Sequence, residues 1–197
     1  MPDEENNQPP EIGPVYMGLA FFWEVLKVII ISLAIIIPIR YFIVQPFFVN
    51  GASMEETFHD SDYILIDEIT YDFRDPKRGD IVVFRYPNDT TQYFIKRVIG
   101  LPGETIQVKN NQVTILNSDH PSGAILAESY LSPEQETRGN LKRKLDGNEY
   151  FVMGDNRLHS SDSRAWGAVH RSFITGRVFA RAWPLKKAGL FKNPVVF

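Results

Sequence analysis

Hydrophobic positions fall into two regimes along this chain. Residues 19–39 (LAFFWEVLKVIIISLAIIIPI) are apolar almost throughout, and residues 28–39 carry no charge. About 20 apolar residues cross a bilayer core, so this run predicts a single membrane-spanning helix within residues 15–41. Its two charges, Glu24 and Lys27, are expected near one end, where long side chains snorkel to the interface. Pro38 is tolerated close to the other end, and Trp23 and Tyr41 sit where interfacial aromatics are favoured. A cleavable export signal is the competing reading, but no basic segment precedes the run and no A-x-A-like site follows it. Lys27 and Arg40 flank the uncharged stretch on opposite sides, so positive charge leaves the orientation open.

Beyond Arg40 the pattern changes to short runs: FFVN (47–50), YILID (63–67), IVVF (81–84), QYFIKRVIG (92–100), ETIQVK (104–109), QVTIL (112–116), EYFVMG (149–154) and GRVFARAWP (176–184). Gly, Pro, Asn and Asp punctuate them, which predicts a mostly β, antiparallel domain over residues 42–197. Asn110-Asn111 fits a two-residue hairpin turn. QYFIKRVIG alternates imperfectly and reads as a strand buried on both faces at one end. Residues 117–147 are polar and rich in Ser, Pro and Gly, and are expected as a peripheral excursion. Residues 1–14 (MPDEENNQPPEIGP) read as a disordered acidic tail.

Composition narrows the chemistry. The 197 residues include no cysteine, which excludes disulfides, a thiol nucleophile and thiolate metal sites. The net charge is −3, of which the first 15 residues carry −4, so the rest of the chain carries +1. That excludes a broadly basic protein that coats nucleic acid, and no nucleic-acid partner is expected. His59, His120, His159 and His170 show no metal-binding spacing, and there is neither a G-x-S-x-G elbow nor a Gly-rich phosphate loop. No metal and no cofactor are expected.

Three polar clusters interrupt the apolar pattern. The first, Gly51-Ala52-Ser53-Met54, places a serine after two small residues at a strand end, where its hydroxyl and N–H can be exposed. The second is Lys96, set among Phe94, Ile95, Val98 and Ile99, where burial would lower its pKa and fit it for base chemistry. The third is the loop GDNRLHSSDSRAWG (154–167). Each also has a purely structural reading. Ser53 can be a turn residue and Lys96 a solvent-facing charge on an edge strand. The loop can be a turn in which Asp155, Arg157, Asp162 and Arg164 neutralise one another.

Together GASM (51–54), GDIVVF (79–84), KRVIGLPGE (96–104) and GDNRLHSSDSRAWG (154–167) resemble, in order, the boxes of type I signal peptidases, and the resemblance covers essentially all of residues 20–184, with the anchor run just before the serine box. The resemblance implies a Ser/Lys-dyad endopeptidase without a cofactor, anchored in the cytoplasmic membrane with its mostly β domain on the outer face. It would hydrolyse the bond after small residues at −1 and −3 of the signal peptides of secretory preproteins, with the lipid bilayer as its other partner. It makes Ser53 the nucleophile and Lys96 the general base. Ser160 would hydrogen-bond the lysine amine, and Asp162 and Arg164 would pair to hold the loop. The Ser53 N–H would bind the oxyanion; the family's second donor falls at Gly51, which has no side chain to supply one. Substrate would add as an extended strand along Phe47, Phe48 and Val49 on one side and Phe94 and Ile95 on the other, with Met54 and Phe58 as pocket walls. Glu56 stands where the family pattern has Pro. It loosens the turn and adds negative charge, which motivates a second reading: a catalytically impaired, membrane-anchored domain that binds peptides. A self-cleaving Ser/Lys regulator is a third reading, opposed by the apolar anchor run and the lack of a DNA-binding region.

Overall fold

The computed structural model describes residues 14–38 and 45–191. Most of the expected acidic tail, as well as Arg40 and Tyr41, lies outside those residues. The chain divides into two units, Met1–Tyr41 and Phe42–Phe197.

In the first unit, α1 (Pro14–Pro38) is bounded by prolines. The ring is tolerated at a first turn, where its missing N–H would be unpaired anyway, and disfavours continuing a helix past it. Within α1, Met17–Ile37 is long and apolar enough to cross a membrane, with mean hydropathy 2.4, and none of it is buried against protein. Its β-branched run is a poor helix former in water, but in lipid the helix is one of few ways to pair every backbone group. The two charges do not gather at one end as expected: Lys27 is the central residue of Met17–Ile37. Its Nζ lies 2.8 Å from Glu24 Oε1 and 5.9 Å from the centre of the Trp23 ring.

The second unit has the expected fold class, mostly antiparallel β. Its strands are β1 (Gln45–Phe48), β2 (Tyr63–Asp67), β3 (Ile81–Tyr86), β4 (Asp89–Gly100), β5 (Thr105–Lys109), β6 (Gln112–Leu116), β7 (Ala124–Ile125), β8 (Leu141–Lys144), β9 (Glu149–Met153), β10 (Val169–His170), β11 (Ile174–Trp183) and β12 (Gly189–Leu190). Short helices α2 (Thr70–Phe73) and α3 (Ser163–Trp166) join them. The larger sheet runs β1-β2-β11-β3-β4-β9-β10 with β12 on β11, and the smaller runs β7-β6-β5-β8. Residues 117–147 do not simply leave the core. They supply β7 and β8, and Leu126, Thr137 and Leu145 are buried.

Alternation explains why the β runs are nearly all apolar. Ile81 and Val83 of β3 face one core with Met54, Phe58, Ile64 and Ile66, while Val82 and Phe84 face another with Tyr150 and Val152. On β9, Phe151 and Met153 turn the other way, to Ile99 and the second sheet. Both faces of the large sheet are therefore covered, and strands so placed carry little polar alternation. The continuous burial of residues 96–100 at the end of β4 has the same cause.

Among the described residues, the outer edges of β1 and of the first part of β4 are both left unpaired beside the serine turn. β1 pairs only with β2, and β4 gains β9 as a second neighbour only from Arg97 onward. The sheet curls until these edges approach, and the Phe47 and Tyr93 rings meet edge-on at 5.5 Å.

At the β5–β6 hairpin, Asn110 and Asn111 have φ of 50° and 63°, the left-handed pair of a type I′ turn. Glycine removes the remaining steric cost at the second position. Asn111→Gly is therefore expected to stabilise the domain by about 0.5 kcal/mol, read as a higher urea midpoint at unchanged slope.

Candidate active site

Ser53 sits on the tight turn that follows β1. Gly51 takes φ +93°, and its N–H donates to Asp60 Oδ1 at 2.7 Å. The Phe58 N–H donates to the Met54 carbonyl at 2.7 Å, and both side chains are fully buried, which pins the turn to the core. From the other side, Asn156 donates its N–H to the Ser53 carbonyl at 3.1 Å and its Nδ2 to the Ala52 carbonyl at 3.0 Å. The close approach demands glycine at 154: a Cβ there would lie 2.4 Å from the Ser53 carbonyl oxygen and 2.3 Å from Ser160 Oγ.

Lys96 comes from β4, opposite Val82 in the ladder. Its Nζ lies 2.7 Å from Ser53 Oγ, 3.0 Å from the Ile95 carbonyl oxygen and 5.4 Å from the Phe94 ring centre. The residue is 4% exposed, and no carboxylate among the described residues forms an ion pair with it. Burial therefore dominates and lowers its pKa to about 8, against a weaker opposing pull from Asp162 and Asp155.

The next residue, Arg97, takes the opposite course. Its guanidinium grips Asp155 through Nε–Oδ1 at 2.8 Å and Nη2–Oδ2 at 2.6 Å, with both side chains buried. The Thr57 hydroxyl donates to the same carboxylate at 2.5 Å, and Arg97 lies 4.0 Å from the Tyr130 ring centre. Asp155 is thus paired with Arg97 and not with Arg157. Arg157 instead bonds Glu128, the Thr137 hydroxyl at 2.6 Å and the Gly154 carbonyl at 3.1 Å.

Asp162 and Arg164 pair as expected, with Nε–Oδ1 and Nη2–Oδ2 both at 2.8 Å. Burial pushes the Asp162 carboxyl up, but Arg164 and the Gly154 N–H outweigh it and hold the pKa below the usual range. Ser160 departs from expectation. Its hydroxyl does not bond the Lys96 amine; it is buried without a well-formed hydrogen bond, near enough to Asp162 to help weakly in holding that carboxylate ionised. Its side chain is packed instead against Gly154, beside the Asp162 carboxylate.

A cleft of about 380 Å³ opens over Ser53 and Lys96. Phe47, Phe48, Val49, Phe94 and Ile95, the residues expected along the substrate, line it together with Tyr93. Met54 and Phe58 do not: they lie in the core beneath, since the turn directs them inward. His159 and Ser161 also line the cleft, which their positions in a polar loop did not signal. Among the described residues no group of three or more carboxylates and imidazoles converges as a metal cage.

A family model for signal peptidase, peptidase S26, matches residues 22–183. The chain belongs to this signal peptidase family. Signal peptidase I of Leptolyngbya laminosa is 37% identical over 197 residues, covering 95% of this chain and 89% of that protein. Signal peptidase I of Bacillus amyloliquefaciens is 37% identical over 183 residues, covering 87% and 91% respectively. A crystal structure of a signal peptidase I from Enterococcus faecalis V583 is 30% identical, covers 53% of this chain and 97% of its own, and superposes with a TM-score of 0.44.

Glu56, which replaces the proline of the signal peptidase pattern, takes φ +89° and is exposed, with Gln135 Nε2 donating to its Oε1 at 3.4 Å. Proline cannot adopt that φ, and glycine adopts it without strain. Glu56→Gly is expected to raise stability by about 1 kcal/mol and Glu56→Pro to lower it by more. Thermal melting of the two variants beside the parent checks both signs.

Proposed function

We propose that this chain is a membrane-anchored signal peptidase I, a serine endopeptidase in which Ser53 is the nucleophile and Lys96 the general base. The observation that carries this reading is the 2.7 Å separation of Ser53 Oγ from a buried lysine amine that no carboxylate pairs. An ammonium cannot accept a proton, so the base must be neutral; a pKa near 8 makes that form accessible close to neutral pH.

Neutral Lys96 takes the Ser53 proton as Oγ attacks the scissile carbonyl carbon. The resulting oxyanion is met by the Ser53 N–H, which has no protein partner among the described residues. The Gly51 N–H is engaged by Asp60 and is not a ready second donor. Protonated Lys96 then gives its proton to the leaving amine, which breaks the peptide bond and leaves an acyl-enzyme on Ser53. Lys96, neutral again, activates the water that hydrolyses the ester. Asp162 and Arg164 hold the loop that packs against the serine turn, and Ser160 packs between Gly154 and Asp162.

Substrate adds as an extended strand between the free edges of β1 and β4, which supply unpaired backbone groups. Alternate side chains then face the cleft beside Phe47, Val49, Phe94 and Ile95, a spacing suited to small residues at −1 and −3 of a signal peptide. Residues 15–41 anchor the protein, and 42–197 form the peptidase domain on the outer face of the cytoplasmic membrane, the side to which preproteins are exported. Glu56 lends no weight to an impaired peptide-binding domain: it is exposed and turned to Gln135, and it does not perturb Lys96.

Cleavage of a preprotein with an A-x-A site by the full chain in lipid tests the assignment. Ser53→Ala and Lys96→Ala are each expected to lose at least about 10³-fold in kcat/KM, and Lys96→Arg to fail as well because its guanidinium stays charged. Cleavage that survives Ser53→Ala excludes the dyad. Since only the neutral amine accepts a proton, kcat/KM should rise with pH through about 8 and level off above it. A profile already flat from pH 6 upward contradicts Lys96 as the base.

A further inference from the structure

Four antiparallel pairings separate β1 from β4 in the sheet, so the two strands run in the same direction, β1 toward Ser53 and β4 toward Lys96. The groove between them ends at the dyad, because from Arg97 onward the edge of β4 is covered by β9. A strand seated in that groove with its scissile bond at Ser53 therefore cannot continue between β1 and β4. Its leaving side emerges beside the loop that carries His159 and Ser161, both of which line the cleft.

His159 also lines a second hollow, of about 390 Å³, and that hollow shares Arg164 and Ala165 with a third, of about 470 Å³. The three are continuous through these shared residues, yet they differ in character. Before the dyad the cleft is walled by apolar and aromatic side chains, and among the described residues Lys96 is the one lysine, arginine or carboxylate lining it. Beyond His159 the walls carry Arg138, Lys142, Arg143, Arg157 and Arg164 against a single carboxylate among the described residues, Asp162. Glu128 matches Arg157 and Asp162 matches Arg164. The other three cations are less committed. Arg138 and Arg143 meet Glu136 and Glu149 at 2.9 and 3.5 Å while remaining 75% and 43% exposed, and such surface pairs contribute little. Lys142 is exposed and forms no ion pair among the described residues.

We infer that this cationic trough receives the start of the mature chain, on the leaving side of the scissile bond, and selects carboxylates there against ammoniums. His159 stands between the cleft and the trough, so the first mature residue stays at the dyad and the following ones pass beyond it. A substrate carboxylate gains the donors that Arg138, Lys142 and Arg143 leave unused, whereas a substrate lysine meets like charge in a partly enclosed hollow. The two sides of the cut are thus read by different forces, apolar contact before it and charge after it. The inference rests on the peptidase reading of Ser53 and Lys96, and adds to it a preference on the mature side of the bond.

The test is cleavage by the full chain in phosphatidylcholine vesicles of three peptides that share an A-x-A site. They differ only in the second to fourth mature residues, which are all Ala, all Asp or all Lys. The kcat/KM of the Asp peptide is expected to exceed that of the Lys peptide at least about tenfold at low salt, and the ratio to shrink as salt is added. Arg138→Glu/Lys142→Glu is expected to bring the ratio to one or invert it; a ratio taken within one preparation does not depend on how much of it is folded. Lys186→Glu/Lys187→Glu makes the same change of net charge on an exposed turn outside the trough, and is expected to keep the wild-type ratio. The inference is overturned if the wild type cleaves the Asp and Lys peptides equally, or if the Arg138/Lys142 variant keeps the wild-type ratio. It is equally overturned if the Lys186/Lys187 variant loses the preference to the same extent. Cleavage of the Ala peptide that survives Ser53→Ala, or no cleavage of any peptide by the wild type, overturns the peptidase reading, and this inference with it.

Discussion

Two adjacent cations on β4 reach opposite fates, and the rest of the site depends on that division. Arg97 is buried against Asp155 with a two-point grip, a third bond from Thr57 and a face on Tyr130. Lys96 is buried beside it with no carboxylate in ion-pair contact among the described residues. Strand alternation sends the two side chains to opposite faces. Were Asp155 free to approach Lys96, the ammonium would be stabilised and the amine lost as a proton acceptor. The guanidinium of Arg97 holds that carboxylate away.

Around this division the loop 154–164 acts as a clamp on the serine turn. Asn156 holds the Ala52 and Ser53 carbonyls, Gly154 lets the two backbones touch, and Asp162 secures the loop through Arg164. Arg157 carries the clamp further, to Glu128 and Thr137 in the segment between β7 and β8. A buried arginine left alone would be strongly destabilising, so that segment is tied to the loop as much by charge as by shape.

Much of this was legible in the chain. The eight apolar runs read from the sequence all became strands, most within two residues of their predicted ends, because runs of β-branched and aromatic residues between turn formers admit few alternatives. β7, β8, β10 and β12 were not legible. They are two to four residues long, and β8 (LKRK) is largely exposed and charged; such segments are strands only because a neighbour offers its edge. Within the site, Ser53, Lys96, Asp162 and Arg164 were named from their boxes and do converge. His159 and Ser161 were not found, since a polar loop residue gives no sign of which way its turn faces.

Sequence alone determined what is local: the apolar helix, the strand runs, the Asn-Asn hairpin, and the juxtaposition of Lys96 and Arg97 in an apolar strand. Periodicity and turn chemistry act over a few residues, so those features are written where they occur. Tertiary structure decided which charges pair and which walls enclose the cleft. It gave Asp155 to Arg97 and not to Arg157, withheld Ser160 from Lys96, and turned Met54 and Phe58 into the core. Pairing between residues tens of positions apart depends on the curl of the sheet and on what each group loses by burial, and neither is a property of any short stretch of chain.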